Sequence, residues 1–186
     1  MRDLLYGGLK RIDMSEFKMV VKKEEIHHQI SEIAKRISND YQGKEVVLIG
    51  ILKGAFIFLA DLARQLTLEK IQVDFLQASS YGADTVSSEN IALKKDIDVE
   101  IRGKDVIVVE DIVDTGLTLA YLIDHLKSFG PSSIKVCAMI NKHERRKTQV
   151  NVDYVCSTVD KGFLVGYGLD FAEHYRNLPE IYHMKL

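Results

Sequence analysis

Residues 106–118, with the sequence VIVVEDIVDTGLT, constrain the fold more than any other part of the chain. The segment opens with apolar β-branched residues, which are typical of a strand buried on both faces of a parallel sheet. Glu110 and Asp111 follow at the carboxyl end, where open α/β sheets bind their ligands. A short turn then leads into a helical pattern at residues 119–126. This order predicts a strand, a ligand-binding turn and a helix.

The turn that contains Thr115, Gly116 and Thr118 has the features of a phosphate-binding loop. Its backbone N–H groups and the start of the helix would attract an anion, and the threonine hydroxyls would add hydrogen bonds. The neighbouring carboxylates would repel a phosphate and suit sugar hydroxyls or a divalent cation. One acidic pair after a strand more often begins a solvated loop, but the whole pattern favours a ligand site.

Bulk composition restricts the class of protein. The length of 186 residues, with 46% hydrophobic and 28% charged residues, is ordinary for one globular domain. A net charge of −2 gives no field that would attract nucleic acid. The most apolar stretch, residues 46–60, is interrupted by Lys53 and is too short to span a bilayer. Cys137 and Cys156 make no disulfide framework, and the first residues lack the apolar core of a signal peptide. We expect a cytoplasmic enzyme that binds neither nucleic acid nor membrane.

The rest of the chain alternates helical and strand-like patterns. Helical patterns occupy residues 22–37 and 54–66, and strand patterns occupy residues 45–52, 71–78, 91–101, 134–140 and 153–158. The apolar faces of the two helices would be formed by Ile26, Ile30, Ile33 and Ile37, and by Phe56, Leu59, Ala60 and Ala63.

This alternation predicts an α/β fold. A doubly wound, mostly parallel sheet flanked by helices follows from right-handed strand–helix–strand crossovers. We expect a single domain over residues 1–186, with a core at about 40–160. Terminal segments at about 1–20 and 161–186 would form a small hood over one edge of the sheet.

Residues 50–54, GILKG, repeat the order of strand, tight turn and helix start. Lys53 and nearby backbone N–H groups could bind one anion there. The spacing of a Walker P-loop is missing, and a lysine in such a turn is more often a solvated charge. The turn alone therefore leaves both interpretations open.

Three other segments contain candidate residues. The polar loop at residues 79–90 has a length typical of functional loops, although a plain hairpin loop is an equal alternative. The basic cluster that begins at Lys142 would ordinarily be a solvated turn. Residues 163–171, FLVGYGLDF, read as an irregular strand in which Phe163 would more often belong to the core.

Together these segments, in order from about residue 46 to residue 176, resemble the type I phosphoribosyltransferase family, and most closely its hypoxanthine-guanine branch. The resemblance implies transfer of the 5-phosphoribosyl group from phosphoribosyl pyrophosphate to N9 of a 6-oxopurine. It also implies Mg²⁺ as cofactor and a homodimer or homotetramer.

The resemblance assigns the phosphoribosyl pyrophosphate site residue by residue. The carboxylates of Glu110 and Asp111 would face the ribose hydroxyls, often through Mg²⁺. The 5′-phosphate would be bound by Thr115, Gly116, Leu117 and Thr118. The pyrophosphate would be bound by Leu52, Lys53, Gly54 and Arg176, with a cis peptide between the first two residues. Ser80 and Tyr81 would begin a mobile lid at about residues 79–92.

The resemblance also assigns the purine site. Asp114 would act at N7 as general base or acid, and Lys142 would donate to the 6-oxo group, which excludes adenine. Phe163 would stack on the base, Leu164 would offer backbone groups, and Asp170 would hold a second Mg²⁺ near the pyrophosphate. The other charges of the cluster at 143–147 would be surface charges. One residue more than is common in the family precedes Phe163.

Two other functions are compatible with parts of this sequence. A regulatory protein with the same fold could sense phosphoribosyl pyrophosphate or nucleotides, but it would be expected to have a degraded purine pocket or an added DNA-binding module. A receiver domain also has carboxylates at strand ends, but it would not explain the sequence from Thr115 to Thr118.

Overall fold

The computed structural model describes residues 17–80 and 91–185. Its strands are β1 (Phe17–Val21), β2 (Glu45–Leu52), β3 (Lys70–Ser80), β4 (Ile91–Lys95), β5 (Asp105–Val113), β6 (Ser133–Lys142), β7 (Tyr154–Val159), β8 (Phe163–Val165) and β9 (Ile181–Met184). Its helices are α1 (Lys23–Asp40), α2 (Phe56–Gln65) and α3 (Leu117–Lys127).

The central sheet has six strands in the order β4-β3-β2-β5-β6-β7. All neighbouring pairs from β3 to β7 are parallel, and β4 is an antiparallel edge strand. From β2 the chain continues through α2 to β3, whereas from β5 it continues through α3 to β6 on the other side. The strand order therefore reverses between β2 and β5, and such a switch point opens a crevice at the carboxyl ends of the strands.

Helices cover both faces of this sheet. Alternate residues of β2 point to opposite faces, so that Leu48 packs with α1 and α2 while Ile49 packs with α3. The central strands are buried on both faces, as their continuous apolar sequences predict. A second, antiparallel sheet has the order β1-β9-β8. The predicted α/β class with a doubly wound, mostly parallel sheet is confirmed.

The predicted face of α1 is correct, whereas the predicted face of α2 is wrong. In α2 the buried residues are Phe58, Leu59 and Leu62, while Phe56 is exposed. The helix also begins at Phe56 and not at Gly54, because residues 53–55 form a turn. Phe56 and Phe58 offer alternative apolar faces that share Leu59, and packing against β2 selects the face of Phe58.

Two strands extend further than their apolar sequences suggest. β5 continues to Val113, so that Glu110 and Asp111 belong to the strand and do not follow it. β6 likewise ends at Lys142. Both strands carry polar residues to the carboxyl edge of the sheet, where the crevice lies. Within residues 17–80 and 91–185, no helix combines the length and apolarity required to cross a membrane.

Candidate active site

A cavity of about 360 Å³ lies at the switch point between β2 and β5. It is lined by most of the residues that the sequence predicts for the phosphoribosyl pyrophosphate site, together with Asp114 and Asp170: Leu52, Lys53, Gly54, Glu110, Asp111, Asp114, Thr115, Gly116, Thr118, Asp170 and Arg176. A larger groove of about 580 Å³ runs between α1 and residues 177–179 and contains none of these predicted residues. We assign the site to the smaller cavity because it lies at the switch point and its wall contains the acidic pair Glu110 and Asp111 together with the predicted phosphate loop.

Glu110 and Asp111 form a buried acidic pair in the wall of this cavity. Burial raises the pKa of Glu110 well above 4.5, and the adjacent charge of Asp111 raises it further. Burial also raises the pKa of Asp111, while the charge of Arg176 lowers it. Two desolvated carboxylates side by side are suited to a cation or to hydroxyl donors.

Gly54 allows the carboxylate of Asp111 to approach the turn at residues 53–55 closely. A Cβ atom at Gly54 would lie 1.5 Å from Asp111 Oδ2, which is impossible for any side chain. The peptide bond between Leu52 and Lys53 in the same loop is cis, as the resemblance implies. The carboxyl ends of β2 and β5 are thereby in direct contact.

The predicted phosphate loop turns sharply into α3. Gly116 has a φ of +81° and stands immediately before the helix, which Leu117 begins. The N–H of Leu117 donates to Thr115 Oγ1 at 3.4 Å. Behind the loop, the carbonyl of Thr115 accepts the N–H groups of Lys147 at 2.9 Å and Thr148 at 3.1 Å. The loop is therefore fixed by the chain segment that follows β6.

The two cations predicted for the pyrophosphate, Lys53 and Arg176, share an acidic partner. Glu173 Oε2 lies 3.0 Å from Lys53 Nζ and 3.2 Å from Arg176 Nη2. Arg176 Nη2 also lies 2.9 Å from Asp170 Oδ1, and Arg176 Nη1 donates to the carbonyl of Gly168 at 2.8 Å. Sequence reasoning missed Glu173, because an acidic residue is not expected at an anion site.

Asp114 and Lys142 form a polar pair beside the phosphate loop. Lys142 is only 5% exposed, and its Nζ lies 3.9 Å from Asp114 Oδ1 and 3.2 Å from Glu144 Oε2. Asp114 Oδ1 is buried and has no hydrogen-bond partner among the residues that the structure describes. Buried polar atoms are normally paired, so this oxygen indicates a ligand atom.

Arg146 corrects the expectation that residues 143–147 are surface charges, whereas Glu144 is exposed as expected but contacts Lys142. Glu144 accepts the N–H of Gly162 at 3.1 Å while it contacts Lys142. The hydrogen bond from the N–H of Gly162 lowers the pKa of Glu144 the most, and the contact with Lys142 lowers it further. Arg146 is half-buried and donates to groups of both β5 and β6. Local sequence gives no signal for either role, because a basic cluster after a strand is also typical of a solvated turn.

Of the predicted purine residues, Asp170 lines the cavity, whereas Lys142, Phe163 and Leu164 do not. The ring of Phe163, in β8, packs edge-to-face on Phe171 with centroids 5.6 Å apart. Leu164 buries its side chain and pairs with His183 of β9. Ser80 ends β3 and pairs with β4, while Tyr81 and most of the predicted lid lie outside the described residues.

The residues predicted for Mg²⁺ fit a divalent cation in part. Glu110 and Asp111 are buried neighbours that suit a cation, but both oxygens of Asp170 are engaged, one by Arg176 and one by the N–H of Glu173. Across residues 17–80 and 91–185, no group of three His, Cys, Asp or Glu side chains is arranged as a metal site. The assignment of Asp170 to a metal stays a prediction.

Comparison with known proteins identifies the family. A model of the phosphoribosyl transferase domain matches residues 18–172. The chain is 46% identical over 175 residues to the hypoxanthine-guanine phosphoribosyltransferase of Aquifex aeolicus, covering 94% of this chain and 98% of that protein. It is 40% identical over 164 residues to the hypoxanthine-guanine phosphoribosyltransferase of Bacillus subtilis, and the match covers 88% of this chain and 91% of that protein. A crystal structure of a hypoxanthine-guanine phosphoribosyltransferase from Bacillus anthracis superposes with a TM-score of 0.85 at 44% identity, covering 90% of this chain and 98% of that one. The chain therefore belongs to the phosphoribosyltransferase family.

Proposed function

We propose that the protein transfers the 5-phosphoribosyl group of phosphoribosyl pyrophosphate to N9 of hypoxanthine or guanine and releases pyrophosphate. This reaction would recover free purine bases as nucleotides. The names of the similar proteins from Aquifex aeolicus and Bacillus subtilis support this activity. A role as a sensor with the same fold is less well supported, because Lys142, Phe163 and Asp170 are all present.

The pairing of Lys142 with Asp114 is the observation that carries the choice of base. On a 6-oxopurine, O6 and N7 are adjacent atoms of the same edge. Nζ of Lys142 and Oδ1 of Asp114 are 3.9 Å apart, and one such edge could contact both. An ammonium only donates hydrogen bonds, so that it suits an oxo group and opposes the amino group of adenine.

In the proposed reaction, N9 of the base attacks C1′ of the ribose as the bond from C1′ to the pyrophosphate oxygen breaks. Configuration at C1′ is inverted, and the N7 proton of the base passes to the carboxylate of Asp114. Positive charge develops on the ribose, and the carboxylates of Glu110 and Asp111 would stabilise it. In the reverse reaction, Asp114 returns the proton to N7.

We assign Mg²⁺ to Glu110 and Asp111, with Asp170 as the candidate for a second ion. The ion would neutralise the charge of the leaving pyrophosphate. Desolvation of Glu110 and Asp111 supports this assignment, because a divalent cation would offset the cost of burying two negative charges.

The remaining substrate contacts follow the same scheme. The 5′-phosphate would be bound by Thr115, Gly116, Leu117 and Thr118, and the pyrophosphate by Leu52, Lys53, Gly54 and Arg176. Phe163 would stack on the base, and Leu164 would offer backbone groups to it. Ser80 and Tyr81 would belong to the lid, which would exclude water from the cationic ribose.

We further propose a single-domain subunit that assembles as a homodimer or homotetramer in the cytoplasm. Residues of about 1–20 and 161–186 would form the hood over a core of about 40–160. The cytoplasmic assignment is supported by Cys137 and Cys156, which are both free thiols.

A radiolabelled-base assay tests this function directly. Hypoxanthine, guanine, xanthine and adenine are each incubated with phosphoribosyl pyrophosphate, with Mg²⁺ or with a chelator. We expect nucleotide formation from hypoxanthine or guanine that requires Mg²⁺. Adenine as the best substrate, or full activity with the chelator, would refute the proposal.

A further inference from the structure

Arg146 occupies the junction between the purine side and the phosphate side of the site. Its Nε donates to the carbonyl of Asp114 at 2.9 Å. Its Nη2 lies 2.8 Å from the carbonyl of Val113, 2.7 Å from Asn141 Oδ1 and 2.8 Å from the carbonyl of Lys142. One guanidinium therefore contacts the backbone of both members of the Asp114–Lys142 pair.

The contacted groups lie where two neighbouring strands end. Val113 is the last residue of β5 and pairs with Asn141 of β6, one residue before that strand ends. Beyond this point the two chains separate, one into the phosphate loop and the other into the turn at 143–148. A guanidinium is a rigid planar fork of N–H donors, so it can fix several acceptors in one arrangement.

The residues after Arg146 support the phosphate loop by independent contacts. The carbonyl of Thr115 accepts N–H groups from Lys147 and Thr148 at 2.9 and 3.1 Å. A Cβ atom at Gly116 would lie 2.4 Å from the carbonyl oxygen of Thr148 and 3.3 Å from Arg146 Cδ. The loop and residues 146–148 are therefore in close contact.

We propose that Arg146 is a positioning residue that holds Asp114 and the phosphate loop that follows it in a fixed position relative to Lys142, an inference that rests on the proposed function. Arg146 does not line the cavity, and its Nε and Nη2 are engaged by acceptors of the protein, so it acts through the groups it holds. The binding of the 5′-phosphate should depend on it. The binding of pyrophosphate should not, because Lys53 and Arg176 have no contact with it among the described hydrogen bonds and ion pairs.

The test compares Arg146→Lys and Arg146→Gln with wild type and with Arg102→Gln, which removes an exposed arginine. Calorimetry measures the binding of ribose 5-phosphate and of pyrophosphate separately, and steady-state kinetics gives kcat and KM for phosphoribosyl pyrophosphate. We expect ribose 5-phosphate to bind about 10- to 100-fold more weakly to both Arg146 variants. This range corresponds to the loss of hydrogen bonds that a charged group makes. KM for phosphoribosyl pyrophosphate should rise, and pyrophosphate affinity should stay within twofold. Arg102→Gln should match wild type.

Several results would overturn the proposal. Unchanged ribose 5-phosphate binding would remove Arg146 from this role, and an equal loss of both ligands would indicate a general effect on the site. If circular dichroism shows that both variants are unfolded, Arg146 is a folding residue and not a positioning residue. A failure of the proposed function itself would be recognised separately, because wild type would then show no transferase activity.

Discussion

At the scale of single residues, the fold places Glu110 and Asp111 where burial disfavours their charge. Burial raises the pKa of both carboxyls above their ordinary values of 4.5 and 3.8. Between the ordinary and the raised pKa values, the folded protein therefore binds more protons than the unfolded chain. The contribution of these two carboxyls to the free energy of unfolding must then fall as pH rises through this range, and this contribution is fully present below the ordinary values. A loss of stability of this kind in the ligand-free protein is common at functional sites.

We expect Glu110→Gln to raise the melting temperature of the ligand-free protein at pH 8. The neutral amide removes one buried charge, and an increase of about 2–4 °C would correspond to roughly 1 kcal/mol in a chain of this size. Thermal unfolding followed by circular dichroism between pH 4 and pH 9 should show that the gain in melting temperature of Glu110→Gln over wild type grows as pH rises. The same variant should have a lower kcat/KM. The exposed Asp124→Asn is the control for loss of a surface charge, and equal slopes in Glu110→Gln and wild type would contradict the expectation.

Asp114→Asn should reduce kcat by about 10²–10⁴, the usual contribution of a general acid or base. The amide keeps the shape of the carboxylate but cannot accept the N7 proton. Steady-state turnover of hypoxanthine at saturating phosphoribosyl pyrophosphate measures the effect, with Asp124→Asn again as control. Turnover close to that of wild type would show that Asp114 does not transfer the proton.

At the scale of elements, the parallel strands of the central sheet were predictable from sequence, while several details of the helices and turns were not. The apolar runs of β2, β5 and β6 identify buried strands, because only a strand covered on both faces tolerates such composition. The prediction of the buried face of α2 was wrong because Phe56 and Phe58 offer two alternative apolar faces. Arg146 was missed because three of its four acceptors are backbone carbonyls, those of Val113, Asp114 and Lys142. Sequence patterns carry no information about contacts of that kind.

The phosphate loop offers a matched test at this scale. Gly116 and Gly43 have similar φ angles, +81° and +75°. Their surroundings differ. A Cβ atom at Gly116 would lie 2.4 Å from the carbonyl oxygen of Thr148, whereas a Cβ atom at Gly43 would meet no atom within 4 Å. Both alanine variants should lose about 1–3 kcal/mol of stability from backbone strain. Only Gly116→Ala should also lower kcat/KM for phosphoribosyl pyrophosphate, by about tenfold or more. Chemical denaturation and steady-state kinetics separate the two effects, and equal kinetics in the two variants would contradict the role of this contact.

At the scale of the whole molecule, the site depends on contacts between distant parts of the chain. The order of strands and helices predicts a crevice at the carboxyl ends of the sheet, and the cavity lies there. The contact of Glu173 with Lys53 joins residues 120 positions apart, and no local pattern indicates it. The site residues of the C-terminal segment follow from the resemblance to the family, because composition and periodicity alone predict an irregular strand there, with Phe163 in the core.

The central claim is that Lys142 and Asp114 recognise the O6 and N7 edge of a 6-oxopurine. The most direct measurement is the ratio of kcat/KM for hypoxanthine to kcat/KM for adenine, in wild type, in Lys142→Gln and in the control Lys147→Gln. A glutamine amide can donate to an oxo group or accept from an amino group, so it should not discriminate between the two bases. We predict that wild type and Lys147→Gln prefer hypoxanthine by about 10⁴-fold, and that Lys142→Gln lowers this preference by at least about 10²-fold. An unchanged preference in Lys142→Gln would contradict the account.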